Sequence, residues 1–442
     1  MANTAKILKM PEYDSLMQGV IDNFDSFVEN ISCIRDTFEY SEVNLRAQHS
    51  KTFANYNDFL STCDKEERGE KTILKVPEGR IREFLTLKRR KARSQRAIEL
   101  IPPSYLVSLV SAFDTFFAGL VRCFYDIFPE KLLESELPFL YRDLQTFTDL
   151  RDIKNIIIDK NVETLLRDSH EEQFNWFSKA LGVSTLKSFD GWSDFIELTE
   201  RRNLFVHSNG TVSEQYITIC KKHSALQKDI IAGNQLSVDK SYFEKAYKIL
   251  YKTAIMLTQM LLRVKYLEKA GKEKSSDVDK SFINTVFDLI VEELYDVAID
   301  VSKMVVGNKN FTHNAFDRSY ILLNYAQAYK WSGDDNKCKE VLDLEDWTAH
   351  APELLIPLNA LRENYPEVYQ LMRQLGKENT HITISAYREW PIFKMLRAEK
   401  EFETVFTEVF GEELGRITEI EIDNPVERKD ATVTINQKTE DQ

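Results

Sequence analysis

Arg201-Arg202-Asn203-Leu204-Phe205-Val206-His207-Ser208-Asn209-Gly210 is the stretch on which the interpretation of this chain turns. It reads as the end of an amphipathic helix. Asp194 is a suitable N-cap, Glu197 three residues on is its capping-box partner, and Gly210 supplies a left-handed stop. Asn203 and His207 are four apart and share a face, while Arg202 lies about 100° round from Asn203 and must reach with its long arm. A cation, an imidazole and an amide suit the cutting of a phosphodiester without a metal. Histidine moves protons near neutral pH, and a guanidinium neutralises charge as it builds on phosphate. The plain structural alternative is a histidine satisfying the last carbonyls of a helix, with an arginine paired to Glu197 or Glu200.

Two long apolar-striped segments flank this stretch. Leu106, Leu109, Val110, Phe113, Phe117 and Leu120 recur at helical steps within Tyr105–Tyr125, which also carries an acid at Asp114. Tyr242, Ala246, Ile249, Leu250, Ala254, Leu257 and Leu261 do the same within Tyr242–Leu267. Such stripes belong to a core. Gly and Pro are scarce, 14 and 11 in 442 residues, and strand-like alternation is hard to find. The expected fold class is all-α.

Charge and cysteine usage narrow the function classes. A net charge of −13 argues against a general nucleic-acid coat protein, because phosphate binding rests on Lys and Arg. One basic block stands out: Arg80, Arg82, Lys88, Arg89, Arg90, Lys91, Arg93 and Arg96 against Glu83 alone between Arg80 and Arg96. A solvated helix face and an RNA-tracking surface explain it equally well. Cys33, Cys63, Cys123, Cys220 and Cys338 are odd in number and far apart, as expected of reduced, buried thiols in a cytoplasmic protein. No apolar run is expected to span a membrane, and MANTAKILKMPEY lacks the pattern of a signal peptide.

The chain divides by composition. Residues 1–78 form an N-terminal helical extension, with a helix expected from Glu12 to about Leu45 and a polar stretch around Cys63 to Lys71. Residues 79–267 form a helical bundle whose first long helix follows Pro102-Pro103, since prolines bias the preceding residue away from helix. The charged run Glu268–Lys280 reads as a linker. Residues 281–415 form a C-terminal helical domain with the texture of degenerate tetratricopeptide-type hairpins, and 416–442 a polar tail.

Other chemistry finds no support. His170-Glu171-Glu172 and His223 sit at no metal-binding spacing and read as surface residues; GxxxxGK[ST], GxGxxG and GxSxG are missing. Arg202 to His207 remains as the candidate active site, and no metal or cofactor is expected.

The run RRNLFVHSNG, closing a helix between two long apolar ones, resembles the HEPN superfamily of helical ribonucleases and nucleotide-binding domains. Its mark is arginine, four to six residues, then histidine, commonly with a polar residue after the arginine. Arg202, Asn203 and His207 match position by position, and the resemblance covers roughly residues 100–267. It implies a metal-independent endoribonuclease that leaves 2′,3′-cyclic phosphate and 5′-hydroxyl ends. Arg202, Asn203 and His207 would be catalytic, with Arg201 and Asp114 as supporting candidates. It also implies a homodimer whose two motifs face each other, and a toxin or anti-phage defence setting in bacteria. Family members controlled by adenylylation carry a tyrosine two residues after the histidine, where this chain has Asn209. Regulation is therefore expected from a protein regulator or sensor partner acting through residues 281–415. The alternative is a non-catalytic dimerisation and protein-interaction scaffold.

Overall fold

Apolar residues at three- and four-residue steps from Leu16 to Phe38 wind the N-terminal region into a helix, and in the computed structural model it runs well past the end of that pattern. The structure describes residues 13–69, 71–134, 149–184, 186–308, 311, 314–379 and 382–415. Helix α1 (Tyr13–Ser61) leads into a two-stranded antiparallel hairpin, β1 (Asp64–Arg68) and β2 (Lys71–Lys75), turned at Gly69 with φ 63°. Helix α2 (Ile81–Ile127) then returns alongside α1. The fold is all-α, and this hairpin is the only sheet among the described residues.

Three expectations are corrected here. Helix α1 continues to Ser61, not to about Leu45, and the polar stretch after Cys63 is a β-hairpin. Pro102 and Pro103 lie inside α2 and do not precede its start. They remove two backbone donors, so the carbonyls of Ile98 and Glu99 lose their helical partners there. Finally, α2 holds an 18-residue window of mean hydropathy 1.5, apolar enough by length and composition to cross a membrane. Its Leu106, Leu109, Val110, Phe113, Phe117 and Leu120 are all buried in the protein core.

The N-terminal residues belong to that core and are not an appendage. Phe27 packs on Phe113 and Phe116 at 6.1 and 4.9 Å between ring centroids, and Phe38 stacks on Phe243 at 3.9 Å. Helices α3 (Leu150–Arg167), α4 (His170–Leu181), α5 (Trp192–Ser208) and α6 (Glu214–Lys222) follow. Then comes α7 (Lys240–Met260), which continues through a wider π turn, Leu261–Tyr266, to Ala270.

The expected linker Glu268–Lys280 is largely helical. Helix α8 (Ser275–Val291) begins inside it, followed by α9 (Tyr295–Gly307), α10 (Ala315–Trp331) and α11 (Asp335–Leu342). Val278, Phe282, Leu289, Val301 and Ala328 join the same buried cluster as Phe113 and Leu257. Arg263 and Asp279, both fully buried, pair across the expected boundary. Asp279 apart, the charges of this run within α8 lie on its outer side, and its other face is apolar and buried. The division falls at Asp346, and Trp347 onward is a second unit.

That second unit contains α12 (Pro352–Leu361), α13 (Tyr365–Leu375), α14 (Ile384–Glu389) and α15 (Lys400–Phe410). Rings of Tyr387, Phe393, Phe402, Phe406 and Phe410 pack together in its interior. The polar tail 416–442 lies outside the described residues.

One turn recurs between α8 and α9, α10 and α11, and α12 and α13. Glu293, Gly333 and Glu363 take left-handed φ values of 59°, 90° and 58°. The following amide bonds back to the carbonyl five residues earlier: Leu294 to Leu289, Asp334 to Tyr329, and Asn364 to Asn359. This is the helix-terminating pattern in which a left-handed residue lets the chain satisfy orphan carbonyls and reverse. The hairpin texture is thus a repeated local solution at irregular spacing, which is why no strict sequence period aligns it.

These boundaries predict truncation behaviour. A chain ending at Leu267 loses one wall of the core and should be insoluble or melt without cooperativity. A chain ending at Asp346 keeps that core and should show a cooperative helical melt by circular dichroism. A cooperative transition in the 1–267 fragment would refute this placement of the boundary.

Candidate functional site

Helix α5 is positioned by an ion pair that the motif itself supplies. Glu197 and Arg201 lie one turn apart, both buried, with Arg201 Nε donating to Glu197 Oε1 at 2.7 Å. The hydroxyls of Tyr216 on α6 and Tyr242 on α7 donate to the same carboxylate at 2.6 and 2.7 Å. Arg201 also donates to the Ser237 carbonyl at 3.1 Å, and its guanidinium covers the Tyr242 ring at 4.0 Å. Burial and the adjacent carboxylate push both phenols well above the ordinary tyrosine range. Every strong donor in this cluster has a partner, which is the condition for keeping charge inside a protein. Arg201 is therefore structural in geometry, and Glu197 is its counter-ion, not a capping residue.

The start of α5 also differs from expectation. Its N-cap is Gly191, at φ 114°, and the Gly191 carbonyl accepts from Phe195 at 2.8 Å. Asp194 lies in the first turn and pairs with Lys245 at 2.7 Å. At the other end Asn209 is left-handed at φ 50° and Gly210 at 81°. A Cβ on Gly210 would meet Phe205 at 2.6 Å and Gln235 at 2.9 Å, so only glycine fits without a shift. Backbone bonds from Val212 to Asn234 and from Leu236 to Gly210, each 2.9 Å, pin the loop that follows.

Arg202 points the other way from Arg201, onto α2. Its Nη2 donates to Asp114 Oδ2 at 2.7 Å, and the other oxygen of Asp114 meets His170 Nε2 at 2.9 Å. Arg202 Nε is buried and has no acceptor. Burial raises the pKa of the neighbouring Glu200 carboxyl above its ordinary value, against the opposing charges of His170, Arg202 and His223.

His223 extends the cluster. The Trp192 indole N–H only donates, so His223 Nδ1, 3.3 Å away, is the acceptor. That leaves Nε2 facing Glu171 at 3.1 Å, where Lys222 also donates at 2.7 Å. Burial works against ionisation of Glu171, yet hydrogen bonds from Lys222 and His223 hold its pKa below the usual range.

His170 and His223, expected at the surface, are both largely buried. A signal for His170 was present. Ser169 caps α4, and His170, Phe174, Phe177 and Leu181 follow at helical steps along its buried face. No such pattern announces His223, whose role depends on a residue thirty-one positions away. Among the described residues, no group of three or more His, Cys, Asp or Glu is placed to hold a metal ion.

Of the sequence-predicted residues, the structure brings Arg202 and Asp114 together and places Arg201 in the separate buried network. Asn203 is half-buried and His207 exposed, and neither has a hydrogen-bond partner among the described residues. Five residues on a helix amount to about 140° of rotation, so His207 leaves α5 in a direction far from Arg202. Beside the helix end lies a groove of about 580 Å³, lined by Phe205 and Asn209, by the pairs Arg46–Glu42 on α1 and Arg96–Glu99 on α2, and by Asp239 and Lys240.

Cys63, Cys220 and Cys338 are buried as expected, but Cys33 is exposed and Cys123 intermediate. Burial pushes the Cys123 and Cys220 thiols up to about 12, which disfavours thiolate chemistry at either.

No family model, curated protein or solved structure matches the chain significantly.

The two arginines should respond unequally to loss of their acids. Glu197→Gln strands a buried guanidinium and should cost about 3–5 kcal/mol of stability. Asp114→Asn acts at a partly solvated pair and should cost about 1 kcal/mol. Urea denaturation of both variants checks the order, and equal losses would contradict the division between Arg201 and Arg202.

Proposed function

We propose that the chain is a metal-independent endoribonuclease of the HEPN type, working as a homodimer. The observation that carries this reading is the state of Arg202. Asp114 holds its guanidinium through one nitrogen and leaves the buried Nε–H without an acceptor. The side chain stays partly exposed, and a guanidinium with N–H groups left over is a good donor to a phosphate oxygen. His207, exposed and free of partners, is available one turn further along.

His207 as neutral imidazole takes the proton from a ribose 2′-hydroxyl. The freed oxygen attacks phosphorus, the bond from phosphorus to the 5′-oxygen breaks, and that oxygen receives a proton from the imidazolium of His207 in the second copy. Arg202 neutralises the phosphate as charge builds, and Asn203 orients it. The products are a 2′,3′-cyclic phosphate and a 5′-hydroxyl. The divergence of Arg202 and His207 on one helix supports a site completed by two chains. Action in a bacterial toxin or anti-phage system, in the cytoplasm, belongs to the same proposal, as does a regulatory partner bound through residues 281–415.

A scaffold reading has one observation in its favour: Arg202 is already engaged by Asp114. The two readings part at the bench. Purified protein incubated with total RNA in EDTA should yield cyclic-phosphate ends. His207→Ala and Arg202→Ala should each reduce cleavage at least a hundredfold, with an unchanged helical circular-dichroism spectrum. Full cleavage by either variant removes the site assignment, and growth arrest that persists in His207→Ala favours the scaffold. Light scattering should give a dimer; a monomer cutting at full rate would exclude the two-chain site.

A further inference from the structure

The distal halves of α1 and α2 form an arm with no core of its own. Beyond Phe38 only Phe59 on α1 is buried, and before Pro102 nothing on α2 is. At 1.5 Å per residue, the twenty residues 81–100 extend it by about 30 Å. The two helices meet along a seam of mixed character. Tyr56 and Phe59 pack on Phe84, His49 Nδ1 lies 3.1 Å from Ser94 Oγ, and Lys91 sits over the rings of Phe53 and Tyr56 at 4.6 and 4.7 Å.

The charge on this arm is one-sided. Residues 81–100 hold seven cations against Glu83 and Glu99, in a chain of net charge −13. Lys91 is committed to the seam and Arg96 to Glu99. Arg82, Lys88, Arg89, Arg90 and Arg93 are exposed and have no ion partner among the described residues, and the same holds for Lys51 on α1. Lys51, Arg90 and Arg93 border a groove of about 500 Å³ between the two helices, alongside the polar side chains of Gln48, Asn55 and Ser94. No acid lines it. Leu45 lines both this groove and the one at the end of α5, so the two adjoin.

We propose that the groove between Lys51 on α1 and Arg90 and Arg93 on α2 binds the phosphate backbone of an RNA strand. Three unpaired cations facing one concave surface without an acid are what a phosphodiester chain requires. The flanking amides of Gln48 and Asn55 offer partners for 2′-hydroxyls and bases. A membrane surface fits less well, because it calls for an apolar face beside the cations, and the side chains beside these three cations in the groove include Gln48, Thr52, Asn55 and Ser94. The choice of RNA among polyanions rests on the ribonuclease reading; the presence of a phosphate-binding groove does not.

The test uses the full chain carrying His207→Ala, so that RNA survives the measurement. Binding of a fluorescein-labelled 30-nucleotide single-stranded RNA is followed by anisotropy between 50 and 200 mM KCl. Lys51→Gln, Arg90→Gln and Arg93→Gln combined should weaken binding at least tenfold at 100 mM. They should also flatten the log–log salt slope by about 2, the value for three phosphate contacts to a single strand. A control triple at exposed lysines, Lys377→Gln, Lys394→Gln and Lys400→Gln, should change neither. An unchanged slope in the arm triple, an equal loss in the control, or binding to phosphatidylserine vesicles with none to RNA overturns the proposal. Circular dichroism of the arm triple verifies its fold, and a parent protein whose RNA binding ignores salt overturns the proposal without any variant. Cleavage by the unmodified chain is read in parallel. Arm-dependent binding without cleavage refutes the nuclease reading and keeps the groove, whereas cleavage with arm-independent binding does the reverse.

Discussion

The buried carboxylate of Glu197 is the constraint from which the placement of the candidate site follows. It accepts from Arg201 on its own helix, from Tyr216 on α6 and from Tyr242 on α7, so three helices share one anion. Helix α5 cannot rotate without breaking at least one of these bonds in a place water does not reach. Because Arg201 is committed inward on this side, Arg202, one residue and about 100° further round, is directed to α2. His207 is directed to solvent by the same rotation. The candidate chemistry is thus a consequence of a structural ion pair one residue away.

Asp114 links that local geometry to the core. It stands one residue after Phe113, whose ring packs on Phe27, Phe116 and Phe195. A carboxylate anchored next to so many rings has a well-defined position, and it shares its two oxygens between Arg202 and His170. The core therefore sets where the cation sits, to within the freedom of one side chain. Burial raises the pKa of Glu200, the residue before Arg201 on the same helix. The arrangement keeps the Arg202 Nε–H buried and unanswered.

The fold class was legible because its evidence is periodic. Apolar stripes in α1, α2 and α7 repeat at helical spacing, and each is buried where the pattern predicts. Boundaries were less legible. Two adjacent prolines normally mark a helix start, yet here they sit where α2 passes from the arm into the core. The charged run after Leu267 concealed a helix because only one face of α8 is apolar. At the site, the motif residues were readable, but the assignment of the two arginines was not. Which of Arg201 and Arg202 turns inward depends on Tyr216 and Tyr242, contributed by other helices. The burial of His170 was encoded by the capped stripe of α4, whereas the contact of His223 with Trp192 required the tertiary fold.

The cations of this acidic protein sort by how they are satisfied, and the sorting follows structure. Arg201 and Arg263 are buried on carboxylates, and Lys91 rests on two aromatic rings within a helix seam. Arg201 and Arg263 are enclosed in the packing, although Arg263, like Arg202, keeps a buried nitrogen without an acceptor. Lys51, Arg90 and Arg93 stand at the surface with no ion partner among the described residues, and Arg202 keeps one donor without an acceptor. A chain carrying 71 acids against 58 basic residues has many carboxylates with which such groups could have been paired. Leaving like charges close together along one arm costs electrostatic free energy, because mutual repulsion rises as they approach. That cost is offset when a polyanion lies along them and releases its counterions. Arg202 differs from the arm: Asp114 answers its charge, and only its Nε–H is left without an acceptor.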